Sequence, residues 1–167
     1  MRDSIGTIHR VADRLEWVLL AYRMPREPSS PRITVWRRLR KLGAEQIVDG
    51  VVALPLTVKS REQLDWVAEV AIEAGGEASV WTGRLTSARQ ERELVARMTD
   101  EVRLAYQAVV DEVAGQRGDP AGVSQRTIER LRREVRRIGQ RDFFPPPQRE
   151  RAIAAVENLA KSTRAST

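Results

Sequence analysis

Asp49-Gly50 is the tightest local constraint in this chain. It lies between two segments that read as short strands, Ala44–Val48 and Val51–Leu56. An Asp-Gly pair in that setting is the strongest short-range hairpin signal, because a two-residue connection of this kind needs positive φ at both central positions. A hairpin fixed here sets the order of everything around it. Upstream, residues 15–22 (Leu-Glu-Trp-Val-Leu-Leu-Ala-Tyr) read as a mostly buried strand, and downstream Glu77–Trp81 reads as another. Between the first strand and the hairpin, Ser30 is the expected helix cap. Pro31 would take the first helical position, where its missing N–H does no harm, and Gly43 would end the helix. Beyond the hairpin, Ser60-Arg61-Glu62-Gln63 reads as a capping box. Leu64, Val67, Val70 and Ala71 then mark an amphipathic helix, closed by a left-handed turn at Gly75-Gly76.

The predicted order over residues 15–86 is therefore β-α-β-β-α-β. Two right-handed crossovers around a central hairpin make a split βαβ, an α+β sandwich of the ferredoxin-like type, with both helices on one face of the sheet. Residues 1–14 are assigned to an N-terminal extension. Residues 87–162 form a helical C-terminal region, a hairpin or small bundle. In its first helix, Ser87 to Ala114, the apolar residues Val95, Met98, Val102, Ala105, Val109 and Val113 recur at spacings of three and four. Gly115 to Gly122 is read as a break, Ser124 as the start of an arginine-rich helix, and Arg141 to Pro147 as a second break. A last helix over 148–161 presents Ile153, Val156 and Leu159, and residues 163–167 are a tail. No internal repeat is visible.

Charge is focused on two of these helices. Residues 31–42 carry Arg32, Arg37, Arg38, Arg40 and Lys41 with no acid, and residues 124–141 carry seven arginines against Glu129 and Glu134. Each segment has a local charge of +5, whereas the whole chain has +6, so the remainder is net acidic. At 100° per residue, Val35, Trp36, Leu39 and Leu42 share one side of the first helix, which makes Trp36 and Leu39 expected core residues. Thr34, Arg37, Arg38 and Lys41 share another. In the second helix Ile128, Leu131, Val135 and Ile138 form the apolar stripe, and Arg126, Arg130, Arg133 and Arg137 stack opposite it. Such a ladder of guanidinium forks suits a phosphate backbone, and a focused basic surface is the signature of a polyanion partner. A solvated face is the other reading. Only three of the 29 cationic residues are lysine (Lys41, Lys59 and Lys161), so arginine is this chain's default cation.

Composition narrows the chemistry. At 41% hydrophobic and 31% charged the chain can bury a core, and it has no cysteine for disulfides, thiolate nucleophiles or most structural zinc sites. No secretory h-region or membrane-length apolar run is present, so a cytoplasmic location is expected. His9 is the sole histidine and lies in the charged N-terminal stretch, which leaves nucleophile–histidine pairs without a base. The glycines do not form a phosphate loop, because Gly75-Gly76 follows a helix. The first strand ends Leu20-Ala21-Tyr22-Arg23-Met24, without the acid that a metal-dependent nuclease of this fold needs. The chain is accordingly expected not to be an enzyme and to need no cofactor. The four tryptophans (Trp17, Trp36, Trp66, Trp81) are read as core, with base stacking as the functional alternative. Phe143-Phe144 is read as an anchor for the last helix, and Asp142 as a local cap or partner.

Several segments together resemble a known family. Trp17-Val18-Leu19-Leu20, then Trp36-Arg37-Arg38-Leu39-Arg40-Lys41-Leu42-Gly43-Ala44, are similar to the N-terminal region of ChrB, the chromate-resistance regulator. So are Asp49-Gly50-Val51-Val52-Ala53-Leu54-Pro55, Gly75-Gly76-Glu77-Ala78-Ser79-Val80-Trp81 and Arg141-Asp142-Phe143-Phe144. The central part also resembles the middle domain of PaaX-type repressors and, more remotely, the CRISPR adaptation nucleases. The resemblance implies a DNA-binding, chromate-responsive transcriptional regulator. The expected partners are duplex DNA, chromate or a similar oxyanion, and a second copy in a homodimer. Chromate is a dianion like sulfate, and arginines at a helix start suit either. Thr34, Arg37, Arg38 and Lys41 with Arg126, Arg130, Arg133 and Arg137 are the candidate nucleic-acid contacts. A non-enzymatic docking or dimerisation module and a degenerate ferredoxin-like nuclease are the competing readings.

Overall fold

The computed structural model describes residues 7–8, 10–11, 14–116 and 123–165. The readings placed on His9, on residues 117–122 and on the last two residues lie outside them. In chain order the elements are β1 (Arg10–Val11), β2 (Arg14–Leu15), β3 (Trp17–Arg23), α1 (Ser29–Leu42), β4 (Glu45–Val48) and β5 (Val51–Pro55). They continue with α2 (Val58–Glu73), β6 (Glu77–Gly83), α3 (Ala88–Gln116), α4 (Gln125–Gly139) and α5 (Gln148–Ala165). Among the described residues the fold is mixed α and β, with five helices and a four-stranded antiparallel sheet. Two compact units divide between Ala96 and Arg97, inside α3.

In the first unit the sheet order is β4-β5-β3-β6. Asp49 and Gly50 make the two-residue turn, with Val48 opposite Val51 and Gly50 at φ 76°. A register shift between Gln46 and Val48 bulges β4 at Ile47. Along β3, Val18 and Leu20 pair with Leu54 and Val52 and are fully or nearly fully buried on one face. Trp17 points to the other face, since successive strand residues alternate. Helices α1 and α2 pack on each other and α2 lies on β3 and β6, so both helices share a face. A two-stranded ribbon, β1 with β2, precedes the sheet and was not expected in a charged N-terminal extension. The main strand accordingly starts at Trp17 and not at Leu15.

Trp17 is covered by a polar cluster. Its indole N–H donates to Glu91 Oε1 at 3.3 Å, and Arg14 Nε donates to Glu91 Oε2 at 3.2 Å. Arg14 Nη2 also donates to the Leu85 carbonyl at 2.6 Å. Glu91 sits in the first turn of α3, where a carboxylate is favoured by the helix dipole, and the two donors compensate its burial.

Several local readings need correction. Helix α1 begins at Ser29 with Pro28 as its cap residue and no side-chain cap, so Ser30 and Pro31 lie inside the first turn. Pro31 is still harmless there, because the first-turn N–H groups have no helical acceptor. The capping box of α2 is Thr57 with Ser60. Thr57 Oγ1 accepts from the Ser60 N–H at 2.9 Å, and Ser60 Oγ accepts from the Thr57 N–H at 2.8 Å. Ser60 also donates to the Pro55 carbonyl at 2.7 Å and is buried, so it locks the helix start onto the end of β5. Trp36 is 57% exposed, not core, while Leu39 is 3% exposed as expected. Leu42, Val35 and Leu39 fill an arc of about 60°, and Trp36 lies roughly 60° further round the helix, beyond the packed arc. Trp66 and Trp81 are also exposed, which leaves Trp17 as the tryptophan in the core.

The second unit is built on α4, α5 and most of α3. Val102, Tyr106, Val109 and Val113 of α3 meet Ile128, Leu131 and Ile138 of α4 and Ala152, Val156 and Leu159 of α5 in one buried cluster. The expected stripes of α3 and α4 are therefore the ones used. Helix α5 differs, since Ile153 is exposed and Ala152, Ala155 and Ala160 are buried. Small side chains there let the helix approach α4 closely. Helix α3 continues through Gly115, and α5 runs to Ala165 with no separate tail at 163. Asp142 pairs locally with the Phe144 N–H, as expected, and also reaches a distant partner. It is buried and accepts from the Tyr106 hydroxyl at 3.0 Å, while Phe143 and Phe144 are half-buried beside it.

Candidate nucleic-acid interface

The basic helix of the second unit starts where its chemistry requires. Ser124 Oγ accepts from the Thr127 N–H at 3.2 Å, which fixes the first turn of α4. With Ile128, Leu131 and Ile138 committed to the core, Arg126, Arg130, Arg133 and Arg137 are all exposed, as the periodicity predicts. Their states differ. Arg130 pairs with Glu112 of α3, and Arg137 pairs with Glu134 at 2.7 Å, whereas Arg126 and Arg133 have no partner among the described residues. Arg136 is likewise exposed and unpartnered among the described residues. Arg132 sits nearer the core and makes a bidentate pair with Glu157 at 2.8 and 2.7 Å. That fork holds the Glu157 carboxyl below its usual range. Arg141, at the end of the helix, donates to Glu101 at 2.8 Å.

In the first unit, the sequence-predicted set on α1 divides. Arg37, Lys41 and Thr34 are exposed, and neither cation has a partner among the described residues. The Thr34 hydroxyl donates to the Ser30 carbonyl at 3.1 Å, a bond within its own helix. Arg38 turns the other way. Its guanidinium lies 4.7 Å from the centroid of the Trp66 ring, and its Nε is buried without an acceptor. Stacking on an aromatic face suits a guanidinium, which is weakly hydrated and planar. Arg38 is therefore part of the α1–α2 packing, and Arg37 and Lys41 carry the outward charge.

The sequence missed one further feature. Trp36, Ile33 and Arg32 of α1, Tyr22 of β3 and Met24 just after it, and Gln46 and Gly50 of the hairpin line an open groove of about 400 Å³. Gly50 is required there, because a Cβ would stand 2.7 Å from the Tyr22 carbonyl oxygen and its φ is left-handed. Burial pushes the Tyr22 phenol above its ordinary pKa. The helix period gave no signal for this groove, because Trp36 falls within the apolar arc of α1.

Among the described residues, no group of three or more His, Asp or Glu side chains is placed to hold a metal ion. No described helix is long and apolar enough to cross a membrane.

Comparison with known proteins assigns the family. A profile described as Protein ChrB, N-terminal matches residues 32–116, from α1 through α3. The chain belongs to the ChrB N-terminal family. Protein ChrB of Cupriavidus metallidurans is 27% identical over 140 residues, which cover 81% of this chain and 43% of that relative. The chain thus spans less than half the length of the curated relative it matches. No solved structure matches it. The family match takes in Arg37, Arg38 and Lys41 and stops before the arginines of α4.

Proposed function

We propose that this chain is the DNA-contacting part of a regulator of the chromate-resistance type. In this reading it binds duplex DNA through phosphate contacts from α1 and α4. The observation that carries the proposal is the set of exposed cations on these two helices with no acid partner among the described residues: Arg32, Arg37 and Lys41 on one, Arg126, Arg133 and Arg136 on the other. An ion pair competes with a ligand for a guanidinium, as Glu134 does for Arg137. Unpaired guanidinium groups on a helix whose apolar side is fully used by the core are free to meet phosphate. The membership in the ChrB N-terminal family supports the same reading.

The first unit serves in this proposal as a ferredoxin-like scaffold. Support comes from the β-α-β-β-α-β order of β3 to β6 and from the placement of its first and third strands at the centre of the sheet. In this proposal Arg37 reads a groove, and Arg126 and Arg133 set affinity. Chromate or a similar oxyanion is the proposed effector. A gel shift with DNA from upstream of the protein's own coding region, with and without chromate, tests both parts. A retarded band that chromate weakens is expected. Absence of any shift at low salt would leave a docking module as the better description.

A further inference from the structure

Of the three exposed tryptophans, two have their rings or N–H groups engaged. Trp66 carries the Arg38 guanidinium over its ring, and the Trp81 indole donates to Ser79 Oγ at 2.8 Å. Trp36 has neither kind of contact among the described residues. It is 57% exposed and forms one wall of the groove between α1 and the β4–β5 hairpin. A half-exposed indole offers a flat apolar face to a partner, and its surroundings narrow the kind of partner. Tyr22, Met24 and Ile33 extend the apolar wall, and among the described residues its lining holds no acid. Gln46 stands at the rim with its Nε2 donating to Asp49 Oδ1 at 3.0 Å. Arg32 lines it too and has no partner among the described residues. A flat aromatic surface beside an unpaired guanidinium matches a nucleobase with its phosphate. The volume of about 400 Å³ is within the range of small-ligand sites.

We infer that the groove receives one unpaired base of the bound DNA, stacked on Trp36, with its phosphate on Arg32. The inference rests on the DNA-binding reading above and deepens it: the chain prefers DNA with a base out of the stack over fully paired duplex. The base and the backbone would be held by different residues. Phosphates along the duplex meet Arg37, Lys41 and the α4 arginines, whereas Trp36 meets only a base that has left the helix. Base–aromatic stacking is sequence-tolerant, because every base presents a π-face, and is large enough to give roughly a five- to hundred-fold preference.

The test compares two DNAs of one sequence, a fully paired 20-mer and the same duplex with a single bulged 2-aminopurine, titrated by fluorescence anisotropy with the full chain. The bulged duplex should bind at least about five-fold more tightly, with its 2-aminopurine emission quenched on binding. Trp36→Ala should bring it down to the affinity of the paired duplex, which should itself be unchanged. Trp36→Phe should keep part of the preference, and circular dichroism of both variants guards against misfolding. Equal affinity of the two DNAs, or a preference that survives Trp36→Ala, would overturn the stacking role while leaving the DNA reading in place. Failure of both DNAs to bind at low salt would instead remove the DNA reading, and this inference with it.

Discussion

The Tyr106 hydroxyl donates to Asp142 Oδ2 at 3.0 Å across 36 residues of sequence, inside the second unit. Arg149 stands 3.9 Å from the same oxygen, and Asp142 Oδ1 is buried with no hydrogen-bond partner. Burial raises the Asp142 pKa above its ordinary value, and Tyr106, Arg149 and the Phe144 N–H only partly oppose it. Removing the tyrosine donor leaves a buried carboxylate less well satisfied, so Tyr106→Phe should destabilise the protein by about 1–3 kcal/mol. Urea unfolding at neutral pH measures this, and an unchanged midpoint would mean that the bond contributes nothing.

The same carboxyl predicts a pH dependence of definite sign. Between the ordinary aspartate pKa and the raised one, the folded state binds more proton than the unfolded state. Stability from this group therefore falls as pH rises through that window and is regained on acidification. Glu157 acts in the opposite sense, because Arg132 lowers its pKa and the contribution is lost as pH falls. Asp142→Asn should remove the first dependence and keep the second, so the variant should lose stability more steeply on acidification than the parent. Parallel stability–pH curves for the two proteins would contradict the assignment.

Leu39 and Trp36, three residues apart on α1, should respond in opposite ways to truncation. Leu39 is buried against the first-unit core, and Leu39→Ala should cost about 2–5 kcal/mol. Trp36→Ala removes a side chain that faces the groove and solvent, so its cost should stay within about 1 kcal/mol. Thermal melts of both variants decide the matter, and a large loss for Trp36→Ala would return the ring to the core.

The contrast between those two residues shows where the sequence was legible. The hairpin at Asp49-Gly50, the stripes of α3 and α4 and the left-handed turns at Gly43 and Gly75 follow from local chemistry, and each stands where the pattern put it. The misplacements have tertiary causes. The α2 cap fell on Thr57 because Ser60 serves as the third helical residue of its own box, a role more often given to glutamate or glutamine. Trp36 was misread because an apolar arc on a helix wheel is wider than the arc its neighbours can cover. Of the candidate site residues, all but Arg38 are exposed as the period implies, whereas ion pairing was not readable. Nothing local to Arg38 announces Trp66, and nothing local to Arg130 announces Glu112.

Arg38 and Trp66 offer a direct check on the α1–α2 contact. Arg38→Lys retains the charge but replaces a planar fork with a compact, strongly hydrated ammonium, so the stack is lost. A half-buried cation–π pair of this kind is worth about 0.5–2 kcal/mol. Arg38→Lys should therefore lower the unfolding free energy by that amount and blue- or red-shift part of the tryptophan emission. A lysine variant of unchanged stability and spectrum would show that the charge alone suffices.

The state of each arginine on α4 makes the DNA proposal quantitative. Each phosphate neutralised by a cation releases condensed counterions and contributes about −0.9 to the slope of log affinity against log salt. Arg126→Ala and Arg133→Ala remove cations that have no acid to leave behind, so each should flatten the slope by about one contact and weaken all sequences alike. Arg130 is different, because Glu112 already holds it. Its direct contribution should be smaller. Neutralising its partner should release it: Glu112→Gln should raise affinity several-fold at low salt and steepen the slope toward one further contact. Anisotropy titrations of the parent and these three variants at several salt concentrations give the four slopes. A parental slope that survives loss of both Arg126 and Arg133 would place α4 outside the interface and leave Arg37 and Lys41 as the remaining contacts.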